Sequence, residues 1–187
     1  MAVQAKDRLL LSAIKLGQRD GWSRLTVADV LQDSGVARRS LYTHFPGGAK
    51  EITVAAVETA ADWITAVVER ACQEPSATAL ATFVEHWKHV LESSDFELGC
   101  PVAAAATSRP QHPEAAALAA HAFTEWESQI TAALVRDGAG PDAARRLGTV
   151  SVACVEGAVI QCVAARSCVP LEIIHDHLQS VIVTALA

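Results

Sequence analysis

An all-α fold of about nine helices is what this sequence predicts, and three observations carry the prediction. Apolar residues recur at three- and four-residue spacing through long segments, and Ala, Val and Leu supply most of the hydrophobic half of the 187 residues. Four Phe, four Trp and one Tyr are too few, and too unevenly placed, for a sandwich of aromatic and β-branched strands. Pro, Gly and Ser cluster between the periodic segments, where helices end, and no segment alternates apolar with polar residues as a half-buried strand would.

Residues 4–19 set Leu9, Leu10, Ala13, Ile14 and Leu16 on one face and Lys6, Arg8, Lys15 and Arg19 elsewhere, the pattern of an amphipathic helix that Asp20 and Gly21 end. Thr26 followed three residues later by Asp29 reads as a capped start, because the hydroxyl can accept from an orphan amide and the acid sits well on the helix dipole. A short second helix then runs through Ser34. Gly35 is suited to the turn and Val36 to the corner beneath it. A third helix runs from Ala37 to about His44 and is stopped by Phe45, Pro46, Gly47 and Gly48. A long helix follows over 50–74, closed by Pro75. Further helices are expected over 77–93, 101–108, 112–137, 141–167 and 171–186, with breaks at Ser93 to Asp95, Arg109 and Pro110, Gly138 to Pro141, and Val169 and Pro170.

Charge divides the chain. Residues 1–52 carry eight Lys and Arg against five acids, whereas the remainder carries seven against sixteen, so a head of +3 sits on a body of −9. Such a chain suits contact with phosphate at one end and not along its length. Residues 1–52 are therefore read as a DNA-binding domain, with its motif at 25–44, and 53–187 as a helical regulatory, ligand-binding and dimerisation domain. Five cysteines without a C-x-x-C indicate neither a disulfide framework nor a zinc ribbon. No uninterrupted apolar run reaches the roughly 18–20 residues of a membrane span, so a cytoplasmic protein without membrane contact is expected.

Two short helices joined by a tight turn set the second into a major groove while the first braces on the backbone. The 37–44 segment has the chemistry for it. Arg38 and Arg39 can donate in a fork to guanine or phosphate, Ser40 and Thr43 can donate or accept, and Tyr42, His44 and Lys50 can reach backbone oxygens, while Leu41 and Phe45 face the core.

The stretch from Thr26 to Ile52 closely resembles the DNA-binding motif of the TetR family. It matches at Thr26, at Gly35 and Val36, at Leu41 and Tyr42, at His44 and Phe45, and at Lys50, Glu51 and Ile52. The resemblance implies backbone contacts from Thr26, Arg38, Ser40, Tyr42, His44 and Lys50, with Arg39 or Thr43 nearest the bases. Ala37 stands where many members have a phosphate-contacting Ser, and Gly47, Gly48 and Ala49 lengthen the usual link. Together with Leu98, Gly99, Cys100, Pro101 and Val102, the Pro-Gly-Gly link resembles the LmrA/YxaF branch.

By the same resemblance the protein is a ligand-responsive repressor, released from a palindromic double-stranded operator by a small apolar or aromatic effector. Candidate pocket residues are Trp63, Phe83, Trp87, Phe96, Phe123 and Trp126, with Cys100 and the polar Glu156; the plain alternative for each aromatic is ordinary core. His86 and His89 read more simply as a wet helix face. Small residues such as Gly157 and Ala158, and the periodic Ile174, Leu178, Val181 and Ile182, are candidates for a symmetric four-helix dimer interface. Population shift along the 50–74 helix would link ligand to DNA. No cofactor and no metal is expected.

A small helical enzyme, or a thiol or metal sensor, is the rival reading. His175 and His177 lie two apart and diverge on a helix, and Cys100 with His112 and His121 shows no set spacing, so the chain is read as a non-enzyme. A module that kept the head but lost DNA binding is disfavoured by Arg38, Arg39 and Tyr42.

Overall fold

The computed structural model describes residues 4–186 and contains, among them, nine α-helices and no strand. They are α1 (Ala5–Asp20), α2 (Val27–Ser34), α3 (Arg38–His44), α4 (Ala49–Ala71), α5 (Ser76–Ser93), α6 (Pro101–Ala106), α7 (Pro113–Arg136), α8 (Pro141–Ala165) and α9 (Val169–Ala185). A 3-10 turn at Trp22–Arg24, which periodicity is too short to reveal, links α1 to α2.

Helices expected over 101–108 and 141–167 end two residues early, at Ala106 and Ala165, and two further boundaries differ for local reasons. Pro170 does not separate helices but sits in the first turn of α9, where its missing N–H costs nothing. The 50–74 helix ends at Ala71, because the chain tightens: Gln73 N bonds Arg70 O and Glu74 N bonds Ala71 O. The Arg136 guanidinium then takes the carbonyls of Cys72 and Glu74 at 2.6 and 2.7 Å.

The chain forms two compact units, one comprising the residues up to Asp62 with Cys100–Ala120, the other Trp63–Gly99 with His121–Ala187. The boundary expected after residue 52 falls inside α4, which supplies residues to both units. In the first unit Leu9, Ala13, Trp22, Val30, Leu41, Ile52 and Val57 are fully buried. Trp22 is central. Its Nε1 donates to Pro101 O at 2.8 Å, tying α6 to the head helices, and a Cβ on Gly17 would lie 2.6 Å from the indole, so only glycine lets α1 approach the ring so closely.

In the second unit α8 and α9 pack on each other and on α5, burying Val155, Val159, Leu171, Leu178 and Ile182. By length and hydropathy α8 does reach what a membrane crossing needs, contrary to the sequence expectation. The simpler account is a core helix, since ten of its residues, Glu156 among them, are buried.

Candidate nucleic-acid interface and ligand cavity

The head is built to hold α3 rigid. Thr26 caps α2, accepting from Asp29 N at 3.2 Å while its hydroxyl donates to Asp29 Oδ2 at 2.6 Å. Gly35 closes α2 in the left-handed conformation, with its N–H on Leu31 O. Three side chains of α1 reach across to α2: Arg8 donates to Ser34 O, Ser12 to Val30 O at 3.4 Å, and Lys15 pairs with Asp33 at 2.8 Å. Val36, Leu41 and Phe45 are buried beneath the turn, and their burial decides which face of α3 remains outside.

That outer face carries the residues expected from sequence. Ala37, Arg38, Arg39, Tyr42, Thr43, His44 and Lys50 are exposed, Tyr42 by 44 %, and Ser40 is half-buried. Among the described residues Arg38, Arg39 and Lys50 have no ion-pair partner, so their charges are available to an anionic surface. Thr43 Oγ1 donates to Arg39 O at 2.9 Å, which leaves its lone pairs free to accept. Ala37 occupies the N-cap of α3 without a side-chain cap. The lengthened link is absorbed locally: Gly48 takes φ +65°, its N–H bonding Phe45 O, while Glu51 accepts from Gly47 N at 2.6 Å. A Cβ on Gly48 would lie 3.6 Å from Tyr42, so the link runs alongside the tyrosine ring.

The second unit holds a cavity among α4, α5, α7, α8 and α9, with about 60 Å³ open to the centre of a water-sized sphere. That is several times the roughly 10–15 Å³ one water needs. Val68, Leu80, Ile130, Leu134, Val152 and Val155 are among its aliphatic lining residues. Of the sequence candidates, Phe83, Trp126 and Glu156 line it. Four do not. Trp63 is 50 % exposed on α4; Trp87 is buried behind Phe83, ring centroids 6.4 Å apart; Phe123 stacks edge-on against Trp126 at 5.4 Å without reaching the wall. Cys100 lies in the other unit as the N-cap of α6, where its Sγ accepts from Ala103 N at 3.4 Å.

Sequence reasoning missed Cys72, Ser76 and Ser151 in the lining, because small polar residues on an apolar stripe carry no periodic signal. Ser151 Oγ is buried without a hydrogen-bond partner among the described residues. Trp126 is fixed by its Nε1 on Thr65 Oγ1 at 2.8 Å. Burial leads in pushing up the thiols of Cys72, Cys162 and Cys168, the last to about 11, which leaves these three poor nucleophiles.

Ser76, one of the lining residues, is held by an ion-paired carboxylate outside the wall. Asp137 accepts from Ser76 N and Oγ at 2.6 and 2.7 Å and pairs with Arg136 at 2.8 Å. Arg136 foremost, then Ser76, hold its carboxyl at about 2, below the ordinary 3.8. A depressed carboxyl contributes stability that is complete above its unfolded pKa and lost as pH falls through the folded one. Asp137→Asn should therefore reduce stability at neutral pH and flatten the wild-type loss between about pH 4 and 2, as read by denaturant melts across pH. Parallel acid limbs in the two proteins would refute this assignment.

Of the expected dimer residues, Ala158, Leu178 and Ile182 are buried within the single chain, and Ile182 lines the cavity. Half-buried Ile174 and Val181 sit beside that inner face, and Gly157 is also half-buried. The helical period decides this: Leu171, Leu178 and Ile182 turn inward together, leaving Val169, Ile173 and Val183 outside. On α8 Val150, Ala153, Gly157, Ile160 and Ala164 recur at three- and four-residue spacing, with Ile160 exposed by 62 %.

Comparison with known proteins shows the family and the fold. Residues 76–177 match the family model described as the C-terminal domain of LmrA/YxaF-like transcriptional regulators. The chain belongs to this family of TetR-type transcriptional regulators. It is 29 % identical over 187 residues to a helix-turn-helix regulator of Mycobacterium tuberculosis described as uncharacterised, covering 97 % of this chain and 95 % of that one. It is 26 % identical over 171 residues to the regulator LmrA of Bacillus subtilis, covering 89 % and 90 %. The fold is shared with a TetR regulatory protein of Rhodobacter sphaeroides at a TM-score of 0.85 and 16 % identity, covering 94 % of this chain and 97 % of that one. As a TetR-type regulator the chain acts through DNA and through dimers.

Proposed function

We propose that this regulator is a repressor that grips a palindromic operator as a dimer and releases it when a small, largely apolar molecule enters the cavity of the second unit. The observation that carries the reading is the outer face of α3, where Arg38, Arg39 and Tyr42 stand exposed above a buried Leu41. Arg38, Ser40, Tyr42, His44 and Lys50 hold phosphates, with Thr26 at the start of α2, and Arg39 and Thr43 face base edges. Ala37 contributes backbone only, so the capping N–H groups of α3 take the place of a hydroxyl there. The protein works where the chromosome lies, in the cytoplasm, and catalyses no reaction.

Two heads about 34–36 Å apart match successive major grooves. The dimer face is the outer stripe of exposed Val150 and Ile160 with half-buried Gly157 between them on α8, and Val169, Ile173 and Val183 on α9, in place of the inward Leu178 and Ile182. Small residues at Ala153, Gly157 and Ala164 let a second α8 approach closely. A ligand beside Val68, Ala71 and Cys72 presses on the C-terminal end of α4, and that helix carries the change to Lys50. The ligand then favours a head spacing that the operator does not fit.

A gel shift on the DNA upstream of the protein's own gene, run at 50 and 200 mM salt, tests this. The expected result is a specific shift whose affinity falls by orders of magnitude between the two salts, as phosphate contacts release counterions. Ile173→Glu should yield monomers by light scattering and lose the shift. A dimer that makes no specific complex, or an Ile173→Glu protein that remains dimeric, would contradict the corresponding part of the reading.

A further inference from the structure

The cavity wall is apolar except at a few places, and two of these lie on α8. Ser151 is 5 % exposed and its Oγ has no hydrogen-bond partner among the described residues; Glu156, five residues on, is 8 % exposed and brings a carboxylate to the same cavity. An unpaired buried hydroxyl costs free energy that a ligand atom can return. A carboxylate on an apolar wall is stabilised most by a partner that donates hydrogen bonds and carries positive charge, because the low dielectric strengthens both effects. Phe83 and Trp126 supply aromatic surface for a ring, and the free volume suits a single ring with a short arm better than a large polycycle. A negatively charged ligand would meet Glu156 with no basic residue in the lining to offset it.

We propose that the cavity takes a small aromatic or alicyclic amine, its ring beside Phe83 and Trp126 and its ammonium donating to the Glu156 carboxylate and Ser151 Oγ. This rests on reading the cavity as the effector site and adds the chemistry of the effector. Selectivity comes from α8 alone, so the same wall that senses charge belongs to a helix whose other face carries the dimer stripe.

The test uses one scaffold in three charge states, 2-phenylethylamine, 2-phenylethanol and phenylacetate, against the full-length dimer. Binding is read by thermal shift and calorimetry, and release by the upstream-DNA gel shift. The amine is expected to bind at least tenfold more tightly than the alcohol, with phenylacetate weakest, and to release DNA at the lowest concentration. Glu156→Gln should bring amine and alcohol within threefold of each other, and Ser151→Ala should weaken both. An alcohol that binds as well as the amine and releases DNA would overturn the amine assignment and leave the effector site standing, as would phenylacetate binding most tightly. No stabilisation and no release by any of the three would overturn the effector reading of the cavity and the assignment with it. Because the ligand series is read first on the unaltered protein, a poorly folding variant does not decide the outcome.

Discussion

Replacing Trp22 with Ala is expected to destabilise the head by about 3–5 kcal/mol, the range for removing a large buried aromatic. Two losses combine at this site. The indole is fully buried against Gly17 of α1, and its Nε1 donor on Pro101 O anchors α6. Trp22→Phe keeps most of the ring packing and loses the donor, so it should cost less, on the order of 1–3 kcal/mol. The measurement is chemical denaturation followed by circular dichroism, with operator affinity measured below the new midpoint. Trp22→Ala within about 1 kcal/mol of the wild type would show that the indole is not a keystone of this unit. A second consequence concerns DNA. Because α3 rests on the same core through Leu41 and Phe45, the Ala variant should lose operator affinity at temperatures where the wild type keeps it.

The second large effect is on recognition. Arg39→Ala should weaken the preferred operator by about 1–3 kcal/mol, roughly five- to 150-fold, and relax discrimination at one base position. Tyr42→Ala should weaken preferred and scrambled DNA to a similar degree, because a phosphate contact carries no base information. Lys50→Ala should also lower the salt slope by about one. Competition gel shifts with single-base operator variants separate these outcomes. Equal loss of specificity in the Arg39 and Tyr42 variants would contradict the division of roles. The structure supports testing them as a set: both side chains are exposed on one short helix, and among the described residues neither is diverted into an intramolecular ion pair.

The helices were legible because their signals are local. Thr26 before Asp29, Gly35 after Ser34, and Pro46 after Phe45 mark starts and stops within a few residues of the backbone groups they satisfy. The exposed basic face of α3 was legible for a related reason: a seven-residue helix with Leu41 and Phe45 committed to the core has one side left for its arginines. The cavity was only partly legible. Phe83 and Trp126 announce themselves by size, but Trp63 and Trp87 have the same composition and opposite fates, one exposed and one buried behind another ring. Cys100 follows Gly99 in the chain and yet packs with the head, because α6 docks through Pro101 on Trp22, a contact 79 residues apart in sequence.

By itself, then, the sequence determined the all-α class, the order of the helices, the short helix α3 with its exposed basic residues, and the family. Each depends on neighbours within one or two helical turns, where spacing is set by the 3.6-residue period. Tertiary structure alone decided that Leu178 and Ile182 face inward while Ile173 and Val183 face out, that Ser151 and Glu156 share a cavity wall, and that Arg136 and Asp137 clasp the junction of α4 and α5. Those outcomes depend on which apolar stripe of a helix finds a partner. Both α8 and α9 carry apolar residues on more than one face, so periodicity leaves the choice open, and packing between distant segments makes it.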